Sequence, residues 1–172
     1  MRVIARLARI LNCPSREELS GASLTDTQAL QVPPTRDAAR FLRGLPVLFP
    51  DGAIVYFEGT TERPFAAWLS AHAVTPGLKI GAGTIWPRPD TYHVPLEAAL
   101  LNEASSVVER EGISLPSIHV HVHDGTRVLL EWHDAFISDP MYIHSDVPQD
   151  RIEAFCRTIG VSTSDIGRRN AT

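Results

Sequence analysis

The stretch from Ile118 to Trp132 constrains the fold more than any other. Residues 118–123 alternate strictly as Ile-His-Val-His-Val-His, and residues 127–132 form a second β-rich run. Asp124-Gly125 between them is a strong short-range hairpin signal. Alternate side chains of a strand share a face, so His119, His121 and His123 lie on one side and Ile118, Val120 and Val122 on the other. The turn decides what stands opposite them. A two-residue loop pairs His123 with Thr126 and sets the histidines beside Val128 and Leu130. A three-residue loop with a left-handed Gly125 pairs Val122 with Thr126 instead, aligns the aliphatic residues of both strands, and gathers His119, His121, Arg127, Leu129, Glu131 and His133 on the other face. A one-residue slip inverts every side chain, so the hydrophobic pattern selects the second register.

Around this hairpin the chain reads as helices interspersed with short strands. Ala53–Glu58 is a buried strand by its β-formers, Tyr92–Val94 and Met141–His144 are short strands, and Leu78–Ile85 is a glycine-broken strand or loop. Helices are expected from the Thr35 cap to about Gly44, from Glu62 to about Ala73, from Leu96 to Glu111 and from Pro148 to Ile159; Gly112 and Gly160 end the last two. The spacing of Val3, Ile4, Leu7, Ile10 and Leu11 predicts an amphipathic N-terminal helix. The expected class is α+β, a mixed or mainly antiparallel sheet with helices packed against it, including the 118–132 β-hairpin. Residues 1–34 read as the N-terminal helix and a connecting segment, 35–160 as a single α+β domain, and 161–172 as a polar tail.

A length of 172 residues, 44% hydrophobic and 21% charged, suits one ordinary globular domain. The net charge of -4 supplies no basic stripe for phosphates, so nucleic acid is not an expected partner. Lys79 is the sole lysine among 16 basic residues. The two cysteines, Cys13 and Cys156, are too far apart to suggest a disulfide framework or a metal knuckle, and Cys156 falls on the apolar side of its helix. With Arg2, Arg6 and Arg9 interrupting the apolar residues near the N-terminus, a secretory leader is not expected and a cytoplasmic, reducing setting is. No stretch approaches the length of a membrane span, and surface attachment through the first helix is the weaker membrane reading.

The histidine face carries the chemistry. Imidazoles with a carboxylate suit a zinc-like divalent ion, so His119, His121 and His133 are candidate metal ligands and Glu131 a fourth ligand or the catalytic base that activates bound water. Asp134 and Asp139 would support a ligating histidine from behind or serve as turn residues before Pro140. The plainer reading is a solvated sheet face on which Arg127 and Glu131 make a cross-strand pair. Elsewhere, Glu58, Thr60, Thr61 and Glu62 sit at a strand-to-helix junction that helix capping explains as well as ligand binding does. Gly77, Gly81 and Gly83 lack the lysine and hydroxyl of a phosphate loop, and no nucleophile elbow occurs. The leading expectation is therefore a small acidic binding or interaction protein, with an immunity- or antitoxin-like role as one form, recognising a protein partner through the polar face or the Trp86 loop. The alternative is a metal-dependent hydrolase built on the histidine face.

Overall fold

The computed structural model describes residues 21–24, 29–49, 52–60, 62–84 and 89–168. The strands are β1 (Ala29–Val32), β2 (Ile54–Glu58), β3 (Thr91–Pro95), β4 (His119–His123), β5 (Val128–Trp132), β6 (Met141–His144) and the two-residue β7 (Gly167–Arg168). The helices are α1 (Ala38–Leu48), α2 (Arg63–His72), α3 (Ala98–Glu111) and α4 (Gln149–Ile159). The strands form one sheet in the order β3-β2-β4-β5-β6-β1-β7, with every pairing antiparallel. The fold is thus α+β with helices on an antiparallel sheet. No helix among the described residues is long and apolar enough to cross a membrane.

The helices cover one face of the sheet. Val55 and Phe57 of β2, Val120 and Val122 of β4, Leu130 and Trp132 of β5, and Met141 and Ile143 of β6 are all buried in one apolar core with Phe41, Leu42 and Leu45 of α1 and Ile152 and Phe155 of α4. Phe41 packs its ring 5.0 Å from Trp132 and edge-on to Phe136 and Phe155. That aromatic contact offsets the cost of Phe136, a non-glycine residue at φ +67°. Around α1 both expected ends move: the helix starts after Asp37 rather than Thr35, and runs past Gly44 and through Pro46 to Leu48. Asp37, two residues beyond Thr35, caps α1 by accepting from the Arg40 amide, while Thr35 accepts from Asp37. Gly112 and Gly160 close α3 and α4 in the left-handed conformation that glycine adopts without strain.

Three local expectations are corrected. The stretch 14–34 is not only a connection, because Ala29–Val32 pairs with β6 on one side and β7 on the other. The tail 161–172 contains a 3-10 turn, Thr163–Asp165, and the short β7. The hairpin closes through a four-residue loop, not three: His123 faces Val128 and the register shifts by one before Val122 faces Leu130. The Asp124 carboxylate accounts for the loop, since its Oδ1 accepts from the Thr126 amide and hydroxyl and from the Arg127 amide. Leu129 is the extra residue of the bulge and joins the helix-side core, whereas Val128 crosses to the histidine face and packs with Tyr56, Leu24 and Ile80. The predicted N-terminal helix, residues 14–20 and the Trp86 loop lie outside the described residues.

Candidate functional site

Pairing of β4 with β2 and β5 completes the histidine face. Tyr56 stands opposite His121, and Glu58 opposite His119, on one flank; Glu131 stands opposite His121 on the other. On the outer strand, His93 stands opposite Tyr56. This face is not solvated. Glu58 and His123 are fully buried, and His119, His121 and Glu131 are nearly so. Two irregular segments roof it, residues 21–24 and 78–84, bridged to each other between Ala22 and Ile80. Arg127 does not pair with Glu131; it binds Asp124 and Asp146 at the exposed end of the hairpin.

The roof is held by carboxylates. Glu58 accepts from the Tyr56 hydroxyl at 2.6 Å, the Gly83 amide at 3.0 Å and the Thr84 amide at 2.6 Å. Glu131 accepts from the Leu24 amide at 2.7 Å and bonds His133 Nε2 at 2.7 Å. A buried carboxylate is tolerated only with such donors, and here the donors are backbone amides of the segments that bury it. Gly83 fits because it has no Cβ: one built there would lie 2.6 Å from the His119 ring. Ser117 bonds the Glu58 amide and carbonyl and so pins the end of β2 to the start of β4.

Hydrogen-bond partners fix two tautomers. The Asp134 amide donates to His119 Nδ1 at 3.3 Å, so the proton of a neutral His119 is on Nε2, which donates to Thr84 Oγ1 at 3.2 Å. The Gly125 amide donates to His123 Nδ1, so His123 Nε2 donates to His93 Nδ1 at 3.2 Å. Burial lowers the pKa of His93, His119, His121 and His123. His121 falls to about 3 and His93 to about 4, with His123 adding to the effect on His93; His119 and His123 move in the same direction. His133 moves the other way, raised by its hydrogen bond to Glu131. Burial alone would raise Glu131, but bonds from His133 and the Leu24 amide, with His121 beside it, hold it below the usual carboxylate range. Burial and the bond to Glu58 raise the Tyr56 phenol and keep it a donor.

The sequence-predicted residues do come together. His133 packs edge-on to both His119 and His121, with ring centroids 5.1 Å apart in each case, and Glu131 bonds His133 directly. Their nitrogens do not converge: among the described residues no three or more histidine, cysteine, aspartate or glutamate side chains are grouped as a metal ion needs. Asp134 supports His119 through its backbone amide, and the Asp139 carbonyl accepts from the Trp132 indole. His121 stands apart, with both ring nitrogens buried and unbonded.

Sequence reasoning missed Tyr56 and His93 and did not place Glu58 on this face. The signal available was parity: Tyr56 and Glu58 alternate within β2 as the histidines do within β4. Beside this end of the face lies a cavity of about 430 Å³, lined by Tyr56, Leu78, Lys79, Ile80, Pro89, His93 and their neighbours. No protein-family model, curated protein or solved structure matches the chain.

Proposed function

We propose that this chain is a small binding protein whose ligand enters the cavity beside the histidine face. The observation that supports this most is how the face uses its polar atoms. Glu58, Glu131 and His119 already hold the covering segments, and His123 is bonded to the hairpin turn and to His93. Lone pairs spent in this way are not open positions for a catalytic metal, which requires several ligands aimed at one point. The roof also withdraws the sheet face from use as a flat docking surface, whereas the adjoining cavity has the volume of ordinary small-molecule sites. An immunity- or antitoxin-like use of the fold is the protein-partner form of the same reading.

A metal-dependent hydrolase is the second reading, and one observation favours it: His121 carries two buried nitrogens without partners, directly against His133. His119, His121 and His133 would be ligands and Glu131 the fourth ligand or general base. Metal analysis of the purified, untagged protein by plasma mass spectrometry separates the readings. The binding reading expects no stoichiometric metal after zinc reconstitution, together with a rise in melting temperature in the presence of a small ligand. Stoichiometric zinc, iron or manganese that disappears in His121→Ala would replace it with the hydrolase.

A further inference from the structure

We propose that the roof is a lid: its two segments part at the seam between Ala22 and Ile80 and expose the histidine face to water while the helix-side core stays folded. The proposal goes beyond the small-ligand reading above and does not depend on it, although Leu78, Ile80 and Ala82 belong both to the lid and to the cavity lining.

What lies beneath the roof sets the cost of lifting it. On the helix side, opening would expose aromatic and aliphatic side chains, and the hydrophobic effect opposes that. On the roofed side, opening exposes Glu58, Glu131, His119, His121 and His123. Water solvates carboxylates and imidazoles well, and it supplies His121 with the partners that both of its ring nitrogens lack in the closed state. The apolar anchors of the roof, Leu24 and Ile80, pack with Tyr56 and Val128 in a small cluster distinct from the main core. Lifting the roof therefore leaves the packing between helices and sheet intact.

The fastenings suit a part that moves. The bonds that tie the two segments to the sheet end on side chains: the Leu24 amide on Glu131, the Gly83 and Thr84 amides on Glu58, and Thr84 Oγ1 on His119. Each can be exchanged for a bond to water without breaking a strand ladder. The seam is backbone against backbone. The Ala22 amide donates to the Lys79 carbonyl at 3.0 Å, and Gly21 lies so close to Gly81 that a Cβ on it would overlap the Gly81 amide and the Ile80 carbonyl. A hinge stands at the start of segment 78–84. The Val74 amide is fixed to the His93 carbonyl of β3 at 2.8 Å, and the exposed Thr75, Pro76 and Gly77 separate that anchor from Leu78, with open space around Gly77.

The test is native-state hydrogen exchange of the full chain, followed residue by residue by NMR near neutral pH in rising, sub-denaturing urea. The amides of Leu24, Gly83 and Thr84 report on the lid, and the amides of β4, a strand paired on both sides, report on the core. The lid amides should exchange roughly 100-fold faster than the slowest β4 amides. Their rates should depend weakly on urea, because little apolar surface is exposed, while the β4 rates climb steeply. Gly21→Ala drives a wedge into the seam and should speed the lid amides about tenfold with the β4 amides unchanged. Equal rates and equal urea slopes in the two sets would overturn the proposal, since the roof would then open only when the whole chain unfolds. Lid amides that exchange as fast as those of a free peptide would overturn it from the other side, because no closed state would exist. A Gly21→Ala chain in which both sets speed up alike would tie the seam to the core and refute an independent lid.

Discussion

Replacing His121 by leucine tests the physical account of the histidine face at its most exposed point. The imidazole is entirely buried, its two nitrogens have no hydrogen-bond partner, and aromatic rings of Tyr56 and His133 pack edge-on against it. A buried polar group left unbonded costs about 1–3 kcal/mol, and a neutral imidazole has one donor and one acceptor in that state. Leucine is apolar and close in size, so it removes the penalty and adds a repacking cost of about 1 kcal/mol. Two such groups, less the repacking cost, leave a net gain of about 1–5 kcal/mol. For a chain of this length each kcal/mol moves the melting temperature by roughly 2–4 °C. Urea unfolding near pH 7, read by tryptophan fluorescence, measures the change directly, and His119→Leu is the control. His119 accepts from the Asp134 amide and bonds Thr84, so its loss should cost about 2 kcal/mol where His121→Leu gains. A loss of more than about 1 kcal/mol in His121→Leu would refute the reasoning, because it would mean that the nitrogens are bonded in solution to water or to a metal. Repeating the measurement after zinc removal then tells those two apart.

Other consequences follow from the same network. Glu58→Gln keeps one acceptor oxygen but turns an amide NH₂ toward a donor, and should cost about 2 kcal/mol in urea unfolding; a neutral effect would mean that the carboxylate does not hold the roof. Gly83→Ala places a Cβ 2.6 Å from the His119 ring, so the roof must lift away from Glu58, at a cost of about 2–4 kcal/mol. Limited proteolysis should then cut within 78–84 faster than in the wild type, and unchanged cleavage would contradict the packing. Acidification should destabilise the chain. His93, His119, His121 and His123 titrate below the ordinary 6.5 when folded, so the unfolded chain binds more protons below that value and stability drains away as pH falls from 6.5 toward about 3. His133 acts in the opposite sense, its contribution full below 6.5 and lost as pH rises through its raised folded value. Four groups against one give a lower melting temperature at pH 5 than at pH 7.5, and equal or higher stability at pH 5 would break the argument.

Periodic segments were legible because their information is local. The period-two run in β4 and the period-3.6 run in α3 gave both elements to within about two residues. Asp124-Gly125 announced the hairpin, but its register depended on a side chain: the Asp124 carboxylate stabilises a longer loop, and the bulge then lets Leu129 and Val128 serve opposite faces. The choice of loop by apolar matching assumed that one face was wholly apolar. Val128 shows why that failed, since the histidine side has its own apolar cluster with Tyr56, Leu24 and Ile80. The strand β1 was missed because four residues, Ala-Leu-Gln-Val, carry too little pattern to stand out from a polar stretch. Parity did place His119, His121, Glu131 and His133 together, but it could not supply β2 and β3 as neighbours, because strand order is a long-range property.

Burial of the polar face follows from what the sheet leaves unpaired. A strand such as β4, central in the sheet with Glu58 and Glu131 on its two flanks, would place carboxylates among imidazoles whether or not anything covered them. In water such a face would need no further structure. The segments at 21–24 and 83–84 bring three backbone amides to those two carboxylates, and amides of irregular segments themselves need acceptors once they leave water. Each half of this exchange makes the other tolerable: the carboxylates satisfy backbone that has no strand partner, and that backbone replaces the water the carboxylates lose. The same exchange explains why His121 alone is left without bonds. It lies between the two carboxylate anchors, where neither covering segment delivers a donor or acceptor. A face held together at its flanks is thus left unsatisfied at its centre, and His121→Leu measures that cost as free energy.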